Sequence, residues 1–398
     1  MKILFLANRI PYPPYRGDKL KIYNLAKRLK DKHELYLLTF AQKEEEFQYK
    51  EELEKIFKEV HLIYLPKWRS ALNCLSGLWS SKPLQVLYFQ SGALRNKLSE
   101  LLSQHKFDAA HVQHLRMSPY LANEKSLPRI LDLPDAFSLY WERRSKLPRG
   151  FARKIFETIE QGRVLKYEPV MDEYDMSLVC SQEDLDYMKK AHGVSNIKLL
   201  PNGVDMNTFK SMSHDYAHGN TLLFTGNMDY APNVDAVTYF VKDILPKIKA
   251  ACPDVHFIIA GQKPVKVVAA LAADADITVT GFVEDLAATY NSASVVVAPL
   301  RFGAGTQNKV LEAMAMGIPV VCSNIGFAGL GIASGEGAIM QTNPDDFAKS
   351  VIALLKSAEL RQQVGMMGAG IIKKRFDWDV ISGMLDGYFK DIVIAKTK

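Results

Sequence analysis

The chain has 398 residues, of which 48% are hydrophobic and 24% charged, and its formal net charge is +6. This composition is that of a globular protein and excludes disordered, collagen-like and coiled-coil classes. The length is about twice what one hydrophobic core usually serves, so we expect two domains. No run approaches the roughly 18 consecutive apolar residues of a membrane span, and the N-terminal apolar run is too short for a signal sequence. We therefore expect a cytoplasmic or peripheral protein.

Positive charge is concentrated in the first half of the chain. Residues 1–200 contain 33 Lys and Arg against 25 Asp and Glu, whereas the remainder contains 17 against 19. A basic domain predicts an anionic partner, either nucleic acid or an acidic membrane surface. Because the sequence has no RNA-binding aromatic motif and no zinc finger, we expect no nucleic acid partner.

The first half alternates short apolar runs with helical patterns. KILFLAN is typical of a buried strand, GDKLKIYNLAKRLKDK of a helix and HELYLLTF of a second strand. Further strand patterns follow at FDAAHVQ, PRILDLPD, MSLVCS and IKLLPNG. Repeated β-α-β units of this kind predict a parallel sheet covered by helices on both faces.

The second half repeats this alternation. Strands are predicted at NTLLFTG, VHFIIAG, ITVTG, SVVVAPL, IPVVCS and GAIM, and NVDAVTYFVKDILPKIKAA predicts one long helix. The polar segment 206–220 lacks periodicity and ends in turn residues, which is typical of a domain boundary. We therefore expect an N-terminal domain over residues 1–205, a C-terminal domain over 206–375 and a final helix over 376–398 that crosses back to the first domain.

The clearest functional pattern lies in residues 294–323. A buried strand ends at Pro299, Gly303 and Gly305 lie in the loop that follows, and a helix is predicted from residue 306 or 307 to residue 316. A glycine-rich loop that opens a helix directs backbone N–H groups toward an anion such as a diphosphate.

Two charged residues of this helix extend the pattern. Lys309, in the first turn, would add a positive charge beside a bound diphosphate. Glu312 lies three residues later on the same side of the helix, where a carboxylate is placed to accept hydrogen bonds from ribose hydroxyls. The alternative is an ordinary strand, loop and helix with a surface lysine and glutamate.

The segment GAGTQNKVLEAMAMGIPVV resembles the donor-site signature of family 4 glycosyltransferases, also described as glycosyl transferases group 1. The chain is most similar to the exopolysaccharide-associated sugar transferase branch. The resemblance implies an α/β fold of the GT-B type, with two Rossmann-like, doubly wound domains that face each other across a cleft. Supporting motifs in the same order are PNGVD at 201–205, FTGNMDYAPNVDAV at 224–237, IIAG at 258–261 and GFVEDLAATY at 281–290.

The resemblance also implies roles for individual residues. Glu312 would bind the nucleotide ribose, and Lys309 would bind the diphosphate together with backbone amides of the glycine-rich loop. Phe282 and Val283 would meet the base. The full set of implied donor-binding residues is Gly17, Gly226, Gly261, Phe282, Val283, Arg301, Gly303, Gly305, Thr306, Lys309 and Glu312.

The chain departs from the family pattern in two places. Many members have a second glutamate, which touches the donor sugar, eight residues before the ribose-binding one, where this chain has Ala304. Backbone amides must then replace that carboxylate. Many members also have an Arg and a Lys after the first strand of the second domain, where this chain has Asn227 and Asn233. Arg301 and Lys309 are the candidates to supply the lost charge.

In the first domain, Gly17 lies between the first strand and the first helix. The resemblance places such a glycine against the donor phosphate, because a side chain there would block close approach. An ordinary turn glycine, with Asp18 as the helix cap, is an equal alternative.

Polar residues also follow two later strands of the first domain. The resemblance implies a His in this region that contacts the donor sugar or the acceptor, and its usual position is taken here by Gln113. We therefore name Gln113, His114 and Arg116, together with Lys309 of the second domain, as candidate catalytic residues, with a purely structural His114 as the alternative. After PRILDL, candidates for acceptor hydroxyls or proton transfer are Asp132 and Asp135, and capping or turn roles are the alternative.

We expect no metal and no cofactor other than the nucleoside-diphosphate sugar, which is a co-substrate. The four cysteines lie far apart without a CxxC pair, and none of the three Asp-x-Asp triplets follows a strand as a metal-diphosphate site requires. Basic side chains and backbone amides are expected to neutralise the leaving group instead.

Two segments predict contact with an anionic membrane surface. Residues 67–79 place Trp68, Leu72, Leu75 and Trp79 at helical spacing among basic residues, which is typical of an interfacial helix. Residues 142–154 contain six basic residues and one acidic residue. Core packing of the first segment and simple solvation of the second are the alternatives. The enzyme is thus expected in the cytoplasm or on the inner face of the cell membrane.

The resemblance implies a retaining glycosyltransferase of the hexosyl type. It would move a sugar from a nucleoside-diphosphate sugar to a glycan or lipid-linked acceptor in exopolysaccharide or cell-surface polysaccharide synthesis. The alternatives are a nucleotide-sugar epimerase of the same fold and a non-catalytic scaffold subunit that binds sugar nucleotides. Hydride chemistry is disfavoured, because no GxGxxG follows the first strand of either domain. The base, the sugar and the acceptor are not specified by the sequence.

Overall fold

The computed structural model describes residues 1–15, 17–146, 150–210, 216–217 and 219–397. Part of the predicted boundary segment, residues 211–215 and 218, and part of the basic run, residues 147–149, lie outside the described residues. The chain divides into two compact units. The first unit contains Met1–Pro201 and the residues from Ile381 onward, and the second contains Asn202–Val380.

Among its described residues, the first unit contains one sheet of seven parallel strands. Their order across the sheet is β3-β2-β1-β4-β5-β6-β7. Successive strands are therefore added on one side of β1 as far as β3, and on its other side from β4 onward, so the strand order reverses between β1 and β4. The strands are β1 (Lys2–Ala7), β2 (Glu34–Ala41), β3 (Glu59–Tyr64), β4 (Ala109–Gln113), β5 (Arg129–Leu133), β6 (Met176–Val179) and β7 (Ile197–Leu199).

Helices connect these strands and cover the sheet, as parallel pairing requires. Short 3₁₀ segments lie at Glu44–Tyr49, Leu115–Tyr120 and Glu168–Glu173. The α-helices are α1 (Gly17–Leu29), α2 (Lys50–Glu54), α3 (Lys67–Ser76), α4 (Leu84–Tyr88), α5 (Gly92–Gln104), α6 (Phe137–Ser145), α7 (Phe151–Tyr167) and α8 (Gln182–His192).

The sequence analysis predicts every strand of this sheet except β3. The central strands β1, β4, β5 and β6 are almost completely buried and read as continuous apolar runs. Strand β3 lies at the edge of the sheet, where most of its residues are only half-buried. Its sequence EVHLIY is consequently mixed, and periodicity alone does not separate it from a loop.

The second unit has the same architecture. Its described residues form a sheet of six parallel strands in the order β10-β9-β8-β11-β12-β13, so the reversal falls between β8 and β11. All six strands are predicted from the sequence. They are β8 (Thr221–Thr225), β9 (His256–Ala260), β10 (Ile277–Gly281), β11 (Val295–Ala298), β12 (Val320–Cys322) and β13 (Ala338–Met340).

The first helical segment of this unit departs from the prediction of one long α-helix. A π-helical turn at Phe240–Ile244 separates two α-helices, and Pro246 lies in the first turn of the second. Proline lacks the N–H that a continuous helix needs, so the wider turn precedes it. The helices are α9 (Ala231–Tyr239), α10 (Leu245–Ala251), α11 (Lys266–Ala269), α12 (Leu286–Asn291), α13 (Asn308–Ala315), α14 (Asn324–Phe327), α15 (Pro344–Lys356) and α16 (Ala358–Arg375), with a 3₁₀ turn at Ala270–Ala273.

The final helix, α17 (Trp378–Thr397), begins in the second unit and continues in the first. In the first unit it contributes Phe389, whose ring lies 6.4 Å from that of Phe5 in β1. Residues 202–205, assigned to the first domain by the sequence analysis, lie in the second unit, because Val204 forms a bridge with Asp377. The ring of Trp378 packs against the backbone of Gly203 and closes this contact.

Within the part of the chain that the structure describes, no helix combines the length and apolar character needed to cross a bilayer.

Candidate active site

The reversal of strand order marks one edge of the second sheet as a ligand site. Beyond the carboxyl ends of β8 and β11 the connections run to opposite sides of the sheet, which leaves a crevice that open α/β sheets use for binding. The loop 299–307 leaves β11 at this point and leads into α13, which starts at Asn308. The predicted donor-site segment thus lies where the topology provides a site.

Lys309 is buried at this edge, with 7% of its surface exposed. Its Nζ donates to Oδ1 of Asn233 at 3.1 Å and lies 4.9 Å from the centroid of the Phe224 ring. Burial lowers the pKa of Lys309 to about 8, although the carboxylate of Glu312 opposes this shift. At neutral pH the group is therefore a cation with neutral hydrogen-bond partners, suited to an anionic ligand.

Glu312 is held by a tyrosine that the sequence analysis does not single out. The hydroxyl of Tyr290 donates to Oε2 of Glu312 at 2.8 Å and is 2.7 Å from Oγ1 of Thr225. Burial raises the pKa of Glu312, while the hydrogen bond from Tyr290 and the charge of Lys309 oppose the rise. Tyr290 is the last residue of the GFVEDLAATY motif, so a signal for it is present in the sequence.

The two asparagines that replace the family's basic residues organise this edge. Nδ2 of Asn233 donates to the carbonyl oxygen of Asn227 at 3.0 Å, while its Oδ1 accepts from Lys309. Oδ1 of Asn227 accepts from Nε2 of Gln262 at 2.8 Å. These amides add no charge, but they fix the position of the lysine ammonium.

Gly226 and Gly261 directly follow the neighbouring strands β8 and β9, and backbone conformation and packing within the unit require both. They have φ angles of 150° and 155°, which side chains rarely adopt. A Cβ on Gly261 would lie 1.7 Å from the carbonyl oxygen of Gly226, and one on Gly226 would lie 2.6 Å from Nδ2 of Asn233. The need for glycine at these two positions is therefore explained without a bound donor.

The loop before α13 has the backbone conformation of a glycine-dependent turn. Gly303 and Gly305 have φ angles of 144° and 73°. Thr306 is buried and packs against Gly329, where a Cβ would approach the Thr306 Cα to 2.9 Å. Ala304, at the position of the family's missing glutamate, is also buried.

Arg301 and the predicted base-binding residues lie nearer the surface. The guanidinium of Arg301 donates to both carboxylate oxygens of Asp235, at 2.8 and 2.6 Å, and lies 4.7 Å from the centroid of the Tyr239 ring. Asp235 thus neutralises the charge of Arg301 within the unit. This pairing argues against Arg301 as the replacement for the family's arginine. Phe282 is exposed and Val283 half-buried, directly after β10.

The corresponding edge of the first unit contains a buried ionic cluster. Nζ of Lys21 donates to Oδ1 of Asp132 at 2.7 Å, and Nε2 of His111 lies 3.3 Å from Oδ2 of Asp132. All three side chains are at most 1% exposed. Burial alone would raise the pKa of Asp132, but the lysine and histidine outweigh it and the pKa is lowered. Because Asp132 is enclosed by its partners, its position supports a structural role rather than an acceptor contact.

Gln113 is the last residue of β4, and His114 and Arg116 follow the strand at the same edge. Nε2 of Gln113 donates to the carbonyl oxygen of Asp18 at 2.6 Å. The guanidinium of Arg116 lies 5.6 and 5.7 Å from the ring centroids of Phe89 and Phe137. His114 has a positive φ of 82°, and its ring centroid lies 4.6 Å from that of Phe137.

Two titrating groups at this edge are shifted toward their neutral forms. Burial, reinforced by Arg116 and Arg9, lowers the pKa of His114 well below its usual value, so the ring is neutral at pH 7. Burial, reinforced by the charge of Asp184, raises the pKa of Asp135 to about 8, so this carboxyl is largely protonated at pH 7. A neutral imidazole and a neutral acid offer hydrogen bonds to hydroxyl groups without attracting an anion.

Gly17 is the first residue of α1 and is exposed. The neighbouring Asp18 pairs with Arg9 through a 3.1 Å contact. Within the described residues, no group of three or more His, Cys, Asp or Glu side chains is arranged to hold a metal ion.

The structure thus gathers the candidate residues into one group in each unit. In the second unit Lys309 and Glu312 lie beside the glycine-rich loop, and the predictions missed Tyr290 as their partner. In the first unit Gln113, His114 and Arg116 lie at the carboxyl ends of the strands.

Comparisons with known proteins agree with this geometry. Residues 219–357 match the family model described as glycosyl transferases group 1. An uncharacterised 44.6 kDa protein of the cps region of Klebsiella pneumoniae is 24% identical over 391 residues, which cover 94% of this chain and 96% of that protein. Phosphatidyl-myo-inositol mannosyltransferase of Mycobacterium tuberculosis is 30% identical over 212 residues, which span 50% of this chain and 55% of the mannosyltransferase.

Solved structures match over the whole chain. Sucrose-phosphate synthase from Thermosynechococcus elongatus has a TM-score of 0.74 at 13% identity, covering 99% of this chain and 100% of that chain. HepE of Anabaena, determined in complex with UDP and glucose, has a TM-score of 0.68 at 17% identity and covers 98% of this chain and 99% of its own.

The two Rossmann-like units and the matches to solved structures show that the chain has the GT-B fold. More particularly, its second unit carries a glycosyl transferases group 1 domain, the family that the donor-site motif predicts.

Proposed function

We propose that this enzyme transfers a sugar from a nucleoside-diphosphate sugar to a glycan or lipid-linked acceptor, with retention of anomeric configuration, in the synthesis of exopolysaccharide or another cell-surface polysaccharide. The HepE structure with UDP and glucose supports a nucleotide-sugar donor. The Klebsiella relative from a cps region supports the polysaccharide role, and the mannosyltransferase, whose name specifies a phosphatidyl-inositol, supports a lipid-linked acceptor.

The observation that carries the proposal is the arrangement around Lys309. A buried ammonium, whose hydrogen-bond partners among the described residues are neutral amides, lies in the first turn of α13, directly after a loop with two positive-φ glycines. The N-terminus of the helix and this ammonium would both favour the negative diphosphate of a donor. Glu312, oriented by Tyr290, would then accept hydrogen bonds from the ribose hydroxyls.

In the proposed reaction the bond between the anomeric carbon and the diphosphate oxygen breaks, and the acceptor hydroxyl oxygen bonds to that carbon on the same face. The hydroxyl proton passes to an oxygen of the departing diphosphate. Lys309 would stabilise the charge that develops on this leaving group, so we propose that the reaction is independent of metal ions. His114 and Asp135, both neutral at pH 7, would orient hydroxyl groups by hydrogen bonding.

The test is turnover of a panel of nucleoside-diphosphate sugars with lipid-linked and glycan acceptors, followed by mass spectrometry of the products and by release of nucleoside diphosphate. We expect one donor to give a glycosylated acceptor whose new linkage has the anomeric configuration of the donor. Donor binding without any release would indicate a scaffold subunit, and an epimerised donor without transfer would indicate an epimerase. Loss of more than half of the activity in EDTA would contradict metal independence.

We also propose that the enzyme works at the inner face of the cell membrane, where a lipid-linked acceptor would be anchored. The apolar residues of segment 67–79 support this location, because the structure leaves them exposed instead of packing them in the core.

A further inference from the structure

The hydroxyl of Tyr290 lies at the centre of a cluster of oxygen atoms beside the donor-site helix α13. Tyr290, in α12, is completely buried. Its hydroxyl oxygen is 2.7 Å from Oγ1 of Thr225, 2.8 Å from Oε2 of Glu312 and 3.4 Å from the carbonyl oxygen of Lys309. Three elements that are distant in the chain, β8, α12 and α13, therefore meet at this one phenol group.

The chemistry of these oxygens fixes the direction of the hydrogen bonds. A carboxylate and a backbone carbonyl can only accept, so the single hydroxyl proton of Tyr290 is donated to one of them. Glu312 receives it, because its carboxylate is both closer than the carbonyl and charged. The oxygen of Tyr290 then accepts from the hydroxyl of Thr225, so the hydrogen bonds run from Thr225 through Tyr290 to Glu312.

Burial keeps Tyr290 in the neutral form that this donation requires. Burial and the negative charge of Glu312 raise the pKa of Tyr290 well above its usual value, so the phenol retains its proton. Thr225, the last residue of β8, is buried as well, which shields the hydrogen bonds from competing water. The orientation of the Glu312 carboxylate is consequently set from inside the unit.

The second oxygen of Glu312 is left over by this arrangement. Within the described part of the chain Oε1 of Glu312 accepts no hydrogen bond, and the residue is half-buried. The nearby ammonium of Lys309 donates to Asn233 and Gln307 instead. An oxygen with free lone pairs and a fixed direction requires a donor from outside the unit, such as a hydroxyl group of a bound sugar ring.

A carboxylate that is held in place discriminates between ligands more strongly than a mobile one. If a ligand lacks the hydroxyl, a freely rotating glutamate can turn toward solvent and bind water. Glu312 cannot turn without breaking its hydrogen bond from Tyr290, so a missing hydroxyl leaves the fixed oxygen without a partner. Sites built to hydrogen-bond a substrate hydroxyl reject the analogue that lacks it much more strongly than apolar pockets reject a change in size.

We propose that Tyr290 and Thr225 are positioning residues that make the site selective for donors with a ribonucleoside, against donors with a deoxyribonucleoside. They act through Glu312 and not by contact with the ligand. The inference rests on the proposed function, because it assumes that Glu312 meets the ribose of a nucleoside-diphosphate sugar. It adds the class of nucleoside, which the glycine-rich loop and Lys309 do not determine, since both would contact the phosphates.

The experiment is calorimetric titration of the full chain with UDP, GDP and ADP, each compared with its dideoxy analogue, which lacks both ribose hydroxyls. For the base that the parent binds most tightly, we expect the dideoxy analogue to bind at least about tenfold more weakly. In Tyr290→Phe this preference should fall to about threefold or less, because the released carboxylate can pair with water when the hydroxyls are missing.

Two further variants sharpen the result. Thr225→Val keeps the shape of the side chain and removes the first donor, so it should lower the preference in the same direction. Tyr216→Phe is the matched control, because it removes a hydroxyl of the same unit that donates to the carbonyl oxygen of Gly317 at 2.7 Å. Its preference for the ribonucleotide should equal that of the parent.

Equal binding of the ribonucleotide and its dideoxy analogue by the parent would overturn the inference and leave the proposed function standing. An unchanged preference in folded Tyr290→Phe would also overturn it, because a purely structural tyrosine affects stability and not the choice of ligand. If thermal melting shows that Tyr290→Phe is unfolded, Thr225→Val decides, and an unchanged preference there is the contradicting result. Failure of the parent to bind any of the three nucleoside diphosphates would overturn the proposed function itself, and the inference with it.

Discussion

The two units have the same strand order but opposite chemistry at the same edge. In the second unit the edge holds a buried lysine with neutral partners and a glycine-rich loop. In the first unit the corresponding edge holds a closed ionic cluster of Lys21, His111 and Asp132, beside a histidine and a carboxyl that are both neutral at pH 7. The lysine of the second-unit edge therefore remains available to an anion, whereas the buried lysine of the first-unit edge is neutralised by a carboxylate.

This difference shows what the fold contributes and what the residues contribute. Parallel doubly wound sheets place a crevice at the reversal of strand order whatever the sequence. We infer that a cation favours a diphosphate in such a crevice where its described partners are neutral, as those of Lys309 are, and does not where a carboxylate already neutralises it, as Asp132 does Lys21.

The strongest test of the comparison is Lys309→Met, which keeps the length of the side chain and removes its charge. We expect the turnover rate to fall by about 100-fold or more, since the loss of one group that stabilises developing charge typically costs this much. Steady-state kinetics with saturating donor would measure it. Lys249→Met, at a half-buried lysine of the second unit paired with Asp274, is the control and should retain the parental rate. Near-native turnover of Lys309→Met would show that the diphosphate is held elsewhere.

Glu312→Ala tests the ribose contact on the same helix. Removal of hydrogen bonds to a carboxylate should weaken donor binding by at least about tenfold, or about 1.4 kcal/mol. Isothermal calorimetry with the nucleoside diphosphate would report it, and circular dichroism would show that the variant is folded. Glu284→Ala, an exposed position in the same unit, should bind the donor like the parent. Unchanged affinity in folded Glu312→Ala would reject the assignment.

Asp135→Asn tests the neutral edge of the first unit through the pH dependence of stability. The pKa of Asp135 is raised to about 8, so the folded chain keeps a proton that the unfolded chain releases. Stability should therefore fall as the pH rises from about 4 to about 8. Asparagine has no proton to lose, so between pH 4 and pH 8 the stability of the variant relative to the parent should rise by several kcal/mol. Urea unfolding at the two pH values measures this, and an equal change at both would contradict the raised pKa.

Arg301→Ala should have the smallest effect. The guanidinium is already bound to both oxygens of Asp235, and 41% of its side chain is exposed. We expect donor affinity to change by about twofold or less, because an exposed paired charge is strongly screened. A loss of tenfold or more in the same calorimetric titration would restore Arg301 as the replacement for the family's missing arginine.

The sequence predicts much of the donor-side group, because its residues lie close together in the chain. The two loop glycines, Lys309 and Glu312 fall within ten residues, 303–312, and belong to one strand-loop-helix segment. The roles of Asn233 and Tyr290 could not be predicted in this way. They come from α9 and α12, and only the closing of the sheet brings them to Lys309 and Glu312.

The first unit shows the same limit more clearly. Asp132 reads as a candidate for contact with an acceptor, since it lies at the end of a strand. The structure encloses it between Lys21 and His111, which are 111 and 21 residues away in the chain. Spacing cannot reveal such a partner, because nothing in a helical pattern distinguishes a buried lysine from an exposed one.

By itself the sequence determined the α/β class, all but one of the strands, the division into two domains and the family of the second. These features follow from local periodicity and from motifs of contiguous residues, and both can be recognised without knowledge of distant contacts. Only the tertiary structure decided which charged residues are paired, which carboxyls are protonated and which apolar faces point outward. Those properties depend on burial and on neighbours from other elements, as in α7, where Glu157 and Glu160 are buried and Phe151 is exposed, the reverse of what an amphipathic pattern would predict.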